Sequence, residues 1–323
     1  MKRGAKYLIG AAAVVAALWV FGPYESLSPE RAFDASVLDN GVDTYLEASE
    51  AQVDGIRPGA GKRVIWAAAP EQQTPWAIVY VHGFSASAVE VQPIPETLAQ
   101  ALGANLYYTR LRGHGRDGAA LGAARADQWI YDIQEAMAIG RRIGSKVLLL
   151  STSTGGSLAT LIAADPVHSH SLAAAAFISP NFGVNNAAAP LLTWPAARHW
   201  LPVLAGHERG FTPRNDAHAA DWTTQYPTTA VFPMAAVTRA AWQVDHADIA
   251  TPALFIFHPD DQVVRADRTA EVTARWGGPV SVFHPKPGPQ DDPDRHVIAG
   301  DIMSPDATPA VTDALINWAL TLN

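Results

Sequence analysis

An apolar triplet, Leu148-Leu149-Leu150, passes without a break into Ser151-Thr152-Ser153-Thr154-Gly155-Gly156, and a segment rich in small residues follows at once. That order predicts a strand, a sharp turn and a helix, with one serine at the apex. Such a turn strains its central residue, so the positions two before and two after it must be small to clear the adjoining strand and helix. Here they are Ser151 and Gly155. Ser153 would then project its hydroxyl over the end of a sheet, with the backbone N–H of Thr154 aimed at an oxygen gathering negative charge. The chemistry this permits is nucleophilic attack on an acyl carbon. A phosphate cradle at a helix N-terminus is the competing use of the turn, but no lysine follows it as in a P-loop.

A serine nucleophile needs a base, a group to orient that base, and a second oxyanion donor. His82-Gly83-Phe84-Ser85 closes an apolar run at 76–81; Gly83 lets the backbone turn tightly, which leaves the Phe84 N–H as the second donor. His82 reads as a brace for that loop. After another apolar run, 253–257, comes His258-Pro259-Asp260-Asp261-Gln262-Val263-Val264, a carboxylate loop at the carboxyl end of a strand, where open sheets place their sites. Asp261 is the preferred acid and Asp260 its rival. A polar loop, 285–295, then leads to His296. As general base His296 would take the Ser153 proton while Asp261 fixes its tautomer; His284 is the alternative.

Strands and helices must alternate to bring these residues together. Residues 63–67, 76–81, 104–109, 146–150, 173–179, 253–257 and 280–283 read as strands, and 90–102, 127–143, 157–164, 268–276 and 308–322 as helices. In the second helix Trp129, Ile133, Met137 and Gly140 share one face. This rhythm predicts an α/β fold with a mostly parallel sheet covered on both faces. It breaks between residues 183 and 250, where Trp194, Trp200, Trp222, Tyr226, Phe232 and Trp242 are scattered without a β-run, so a helical insertion is expected there. The divisions are an N-terminal segment at 1–24, an arm with one short helix at 25–61, core at 62–182, the insertion at 183–250, and core again at 251–323.

Composition narrows the functions. The formal charge is −8, and the only charges in the first 21 residues are basic, so the remaining chain is more acidic still and offers no footprint for nucleic acid. The chain has no cysteine, which removes disulfides, thiolate metal sites and a thiol nucleophile. Its 11 histidines show no metal-ligand spacing. Lys2, Arg3 and Lys6 precede an uncharged run from Tyr7 to Phe21, the pattern of a signal anchor or, alternatively, a cleaved export signal. The expectation is a membrane tether with the body exported.

The order Ser153, Asp261, His296 is that of an α/β hydrolase. Through His82-Gly83-Phe84-Ser85, Leu111-Arg112-Gly113-His114-Gly115, the Ser153 turn and Asp261-Gln262-Val263-Val264, the chain resembles the monoglyceride lipase, carboxylesterase and lysophospholipase group of that superfamily. The likeness runs from about residue 63 to 322. It implies an eight-stranded sheet, a cap over the site, no cofactor, and hydrolysis of a small-molecule ester through an acyl-enzyme. It also implies Ser153, Asp261 and His296 as the triad and Phe84 and Thr154 as the oxyanion donors. Ser151 departs from the usual Gly-x-Ser-x-Gly pattern. A Trp-rich cap would form an apolar acyl pocket. A peptidase of the proline-iminopeptidase kind, a thioesterase or a carbon–carbon bond hydrolase would use the same residues; Asp216, Asp221 or Asp245 could hold a substrate amine.

Overall fold

The computed structural model describes residues 2–322; side chains at 2–6, 8, 9, 11, 12 and 15 are outside the described residues. In chain order the elements are α1 (Lys2–Phe21), α2 (Val42–Glu50), β1 (Arg63–Ile65), β2 (Thr74–Val81), α3 (Ile94–Leu102), β3 (Asn105–Tyr108), α4 (Gly118–Ala123), α5 (Ala126–Ile143), β4 (Gly144–Thr152), α6 (Thr154–Ala164) and β5 (Leu172–Ile178). Then come α7 (Ala197–Ala205), β6 (Glu208–Gly210), α8 (Asp216–Asp221), β7 (Gln225–Pro227), α9 (Val231–Gln243), β8 (Ala253–Ile256), α10 (Ala266–Arg275), β9 (Val280–Phe283) and α11 (Thr308–Leu320).

Seven strands form one sheet in the order β1-β3-β2-β4-β5-β8-β9, parallel throughout except for β1 against β3. Because successive strand residues face opposite ways, the apolar runs feed two cores. Val79, Val81, Leu149, Phe177 and Phe255 enter one, together with Trp129, Ile133 and Met137 of α5 and Leu158 of α6. Ile78, Tyr80, Leu148, Leu150 and Ile256 enter the other, with Ile94 and Leu98 of α3 and Val311, Leu315 and Trp318 of α11. A sheet covered on both faces explains why the runs are continuous rather than alternating.

The chain leaves β2 to place β3 on one side of it, then crosses back to place β4 on the other. The β2–β4 boundary is therefore the switch point of the sheet, where a crevice opens at the carboxyl ends of the strands. His82-Gly83-Phe84 follows β2 and Ser153 follows β4.

Three expectations are corrected. The sheet has seven strands among the described residues, not eight, because the chain ahead of the three-residue β1 is taken up by α2, which buries Val42 and Leu46 beside Leu38. The helix expected from residue 90 begins at Ile94, with Pro93 as its cap and Pro95 in its first turn; proline favours a helix start and forbids those positions in the interior. The insertion between β5 and β8 is not wholly helical, since β6 and β7 pair antiparallel. Strands of three residues are too short to print a period of two.

The aromatic residues of the insertion divide. Trp222 packs with Ala86 and Met303, and Tyr226 meets Phe84 edge to face at 5.3 Å. Trp194 and Trp242 instead line a crevice of about 510 Å³ shared with Trp19 and Arg268, and Trp200 and Phe232 pack with Leu201 of α7.

The membrane-anchor expectation rests partly on Lys2, Arg3 and Lys6, whose side chains lie outside the described residues. Among the described residues no helix is long and apolar enough to cross a membrane. Near the end of α1, Trp19 meets Trp194 edge to face at 5.5 Å, and the Pro23 carbonyl accepts the Ala196 N–H at 2.8 Å.

Trp129 is the largest side chain wholly enclosed by the core, and its indole N–H donates to the Arg112 carbonyl at 2.9 Å. Trp129→Ala should lower the unfolding free energy by about 3–5 kcal/mol, read as a fall in the urea midpoint with little change in m-value.

Candidate active site

Backbone strain places the serine. Ser153 sits at φ +50° and ψ −114°, a conformation that a non-glycine residue holds only when its surroundings enforce it. The enforcement comes from close packing. A Cβ at residue 155 would lie 2.2 Å from the Val81 carbonyl oxygen, so only glycine lets α6 start hard against the end of β2. Ser153 N–H donates to the Ile178 carbonyl at 2.9 Å, and its own carbonyl accepts from Gly156 and Asn181, each at 2.9 Å. Ser151, which departs from the expected glycine, is fully buried and donates its hydroxyl to the Ala176 carbonyl at 3.1 Å. The departure is thus absorbed by the neighbouring strand β5.

Three side chains from distant parts of the chain meet at this point. Ser153 Oγ lies 3.0 Å from His296 Nε2, and His296 Nδ1 lies 2.8 Å from Asp261 Oδ2. With the ring proton on Nδ1, the imidazole donates to Asp261 and presents an acceptor to the serine hydroxyl. Asp261 Oδ1 is fixed separately, accepting from Val263 N at 2.8 Å and Val264 N at 2.9 Å. Asp260 points away and pairs with Arg295. His284 braces β8 through Phe257 O at 2.7 Å. His82 accepts the Leu111 N–H at Nε2, 3.1 Å away, and burial pushes it down to about 4, so it stays neutral behind the loop.

Thr154 opens α6, so its N–H has no acceptor within the helix. Phe84 follows Gly83 in the loop after β2, where a Cβ on residue 83 would come within 3.3 Å of Ser153 Cβ. The glycine thus brings the two backbone segments together.

Two groups near the site escape the sequence reading. Asp292 Oδ2 accepts the N–H groups of His296 at 3.1 Å and Val297 at 2.9 Å, holding the histidine loop from behind. Glu90 accepts the Gly83 N–H at 2.8 Å. Two prolines, Pro93 and Pro95, are the signal for Glu90, since they start the helix later and release residue 90 into a turn. Asp292 carries none, being one of three aspartates in a loop without pattern.

The insertion braces both loops. Thr223 N–H donates to the Ser85 carbonyl at 2.7 Å, Asn215 Nδ2 donates to the Ile302 carbonyl at 2.9 Å, and Arg214 lies 3.8 Å from Asp292. Of the acids considered for a substrate amine, Asp245 caps a turn by accepting Ala247 N–H at 3.1 Å. Asp221 is raised by burial, with Arg57 opposing. Among the described residues no cluster of His, Asp and Glu could hold a metal ion.

The sheet order and the serine turn define an α/β hydrolase. Within that superfamily the chain belongs to the family described as serine aminopeptidase, S33, whose model matches residues 72–284. Solved structures of similar fold include one of the metagenome-derived lipolytic enzymes LipS and LipT, at 18% identity over 82% of this chain and 99% of that one, TM-score 0.67. A monoglyceride lipase from Saccharomyces cerevisiae aligns at 11% identity over 81% and 91% of the two chains, TM-score 0.61. A monoacylglycerol lipase from Paleococcus ferrophilus aligns at 14% over 81% and 98%, TM-score 0.58. No curated protein matches by sequence.

Burial works to depress His296, but the Asp261 charge and hydrogen bond, with Asp292 and Glu90 adding, leave it raised above its ordinary value of 6.5. An NMR titration of the imidazole should therefore give a midpoint above about 6.5. Asp292→Asn keeps an acceptor for the two backbone N–H groups and removes the charge, so the midpoint should fall.

Proposed function

We propose that the protein is a serine hydrolase of carboxylic esters, with Ser153 as nucleophile, His296 as base and Asp261 as the orienting acid. The observation that carries this reading is the continuous relay of 3.0 Å and 2.8 Å from Ser153 through His296 to Asp261. Ser153 Oγ attacks the ester carbonyl while His296 Nε2 takes its proton, and Asp261 steadies the resulting imidazolium. The Phe84 and Thr154 N–H groups receive the oxyanion, each contributing about 3 kcal/mol to lowering the barrier. Collapse expels the alcohol with the proton from His296, and water then enters by the same steps in reverse to free the acid.

Ester cleavage is favoured over amide cleavage by the lipolytic character of the similar structures. The name of the family motivates the second reading, removal of an amino-terminal residue from a peptide. Ser153→Ala should reduce p-nitrophenyl ester turnover by about 10⁴-fold or more, and wild-type protein should label with a fluorophosphonate at Ser153. Retained turnover in the variant overturns the nucleophile. Faster cleavage of aminoacyl amides than of any ester in a graded acyl series would overturn the substrate class. Because His296 must be neutral to accept the proton, kcat/KM should rise with pH through its raised pKa, placing the acid limb above 6.5.

The N-terminal segment is proposed as a membrane tether with the catalytic body exported. Lys2, Arg3 and Lys6 flank an uncharged run, and Val14, Val20 and Phe21 of α1 are exposed. Full-length protein should sediment with membranes after a carbonate wash, and a chain lacking residues 1–24 should not. Equal partitioning of the two would refute the tether.

A further inference from the structure

Glu90 is a buried carboxyl that the proposed chemistry leaves without a task. It is 3% exposed, and its Oε2 accepts the N–H of Gly83 at 2.8 Å and the O–H of Tyr80 at 2.9 Å. The same Tyr80 hydroxyl lies 3.1 Å from Thr152 Oγ1, one residue ahead of Ser153. One carboxyl is therefore bonded to the oxyanion loop and, through Tyr80, to the serine turn. Gly83 is squeezed between: a Cβ there would sit 2.7 Å from Glu90 Oε1 and 3.3 Å from Ser153 Cβ. The backbone of residue 90 also abuts the histidine loop, since a Cβ on Gly300 would come within 2.5 Å of the Glu90 carbonyl oxygen. Nearby, Asp301 N–H donates to Gln92 O at 2.9 Å.

A neutral glutamine could accept both hydrogen bonds without the cost of burying a charge. What glutamate adds is negative potential beside the nucleophile. The titratable groups around it are Tyr80 of β2, with Tyr108 of β3 edge-on to that ring at 5.7 Å, and His296 from the loop after β9. His296 in turn faces Asp261 and Asp292.

We infer that Glu90 is a positioning residue of the Ser153 site: its carboxylate fixes the oxyanion loop through Gly83 N–H, and its charge steadies the imidazolium that His296 becomes during attack. This role rests on the reading of Ser153 as nucleophile. Burial lifts Glu90 to about 7, opposed by Gly83 N–H, Tyr80 O–H and the charge of His296. Each of Glu90 and His296 acts on the charge of the other, so the two ionisations are coupled. As pH rises, the carboxylate forms and the transition state gains stabilisation.

Glu90→Gln, assayed on a p-nitrophenyl ester beside wild type and Ser153→Ala, is expected to lower kcat about 10- to 100-fold. KM should stay within about 2-fold, and the acid limb of kcat/KM should move to lower pH, because the imidazolium has lost a stabilising negative charge. Tyr80→Phe removes a donor that favours the ionised carboxyl, so its kcat should fall at neutral pH and recover at higher pH. An unshifted acid limb in Glu90→Gln overturns the role even if kcat falls, and so does a Tyr80→Phe profile that superimposes on wild type. If Glu90→Gln fails to fold, the Tyr80→Phe profile decides. Turnover retained by Ser153→Ala would sink the nucleophile and this role together; an inactive Ser153→Ala with an unshifted Glu90→Gln limb sinks only the role of Glu90.

Discussion

The contact on which the rest depends is the approach of Gly155 to the end of β2, where a single added carbon would overlap the Val81 carbonyl oxygen. That contact lets α6 begin directly over the sheet and forces Ser153 into its positive-φ conformation. Strain of this kind costs on the order of 1–3 kcal/mol and is held by what surrounds it: five buried parallel strands with a packed core on each face. The serine is held at the end of the sheet because the backbone beneath it cannot relax. Its small neighbours are a steric requirement, and Ser151 meets that requirement because β5 supplies an acceptor for the extra hydroxyl.

Charge is arranged around His296 with the same economy. Three carboxyls, Asp261, Asp292 and Glu90, act on one imidazole, and each is also bonded to backbone N–H groups: Val263 and Val264, His296 and Val297, and Gly83. A buried carboxylate tied to backbone N–H groups is stabilised where it stands. Anchoring and electrostatics are thus carried by the same atoms, so the loops that shape the site are also the loops that tune it.

Much of this was legible from residue order. Apolar runs long enough to be covered on both faces disclosed the parallel sheet, and the small–x–Ser–x–Gly turn, the Asp261 loop and His296 could be named because each directly follows or closely trails a strand. Other features left weaker marks. The short strands β6 and β7 have no readable period, and the contest between Asp260 and Asp261 is decided by which carboxylate the turn directs inward. Glu90 was hidden by an overlong helix, although Pro93 and Pro95 stood in plain sight. Asp292 is recognised only when the backbone folds over it, since the N–H groups it accepts from are main-chain groups that any residues would supply.

The insertion grips both working loops at once: Thr223 on Ser85, Asn215 on Ile302, Arg214 beside Asp292. The insertion is thus bonded both to the loop after β2 and to the loop that carries His296. Packing within the insertion therefore bears on the position of both loops at once.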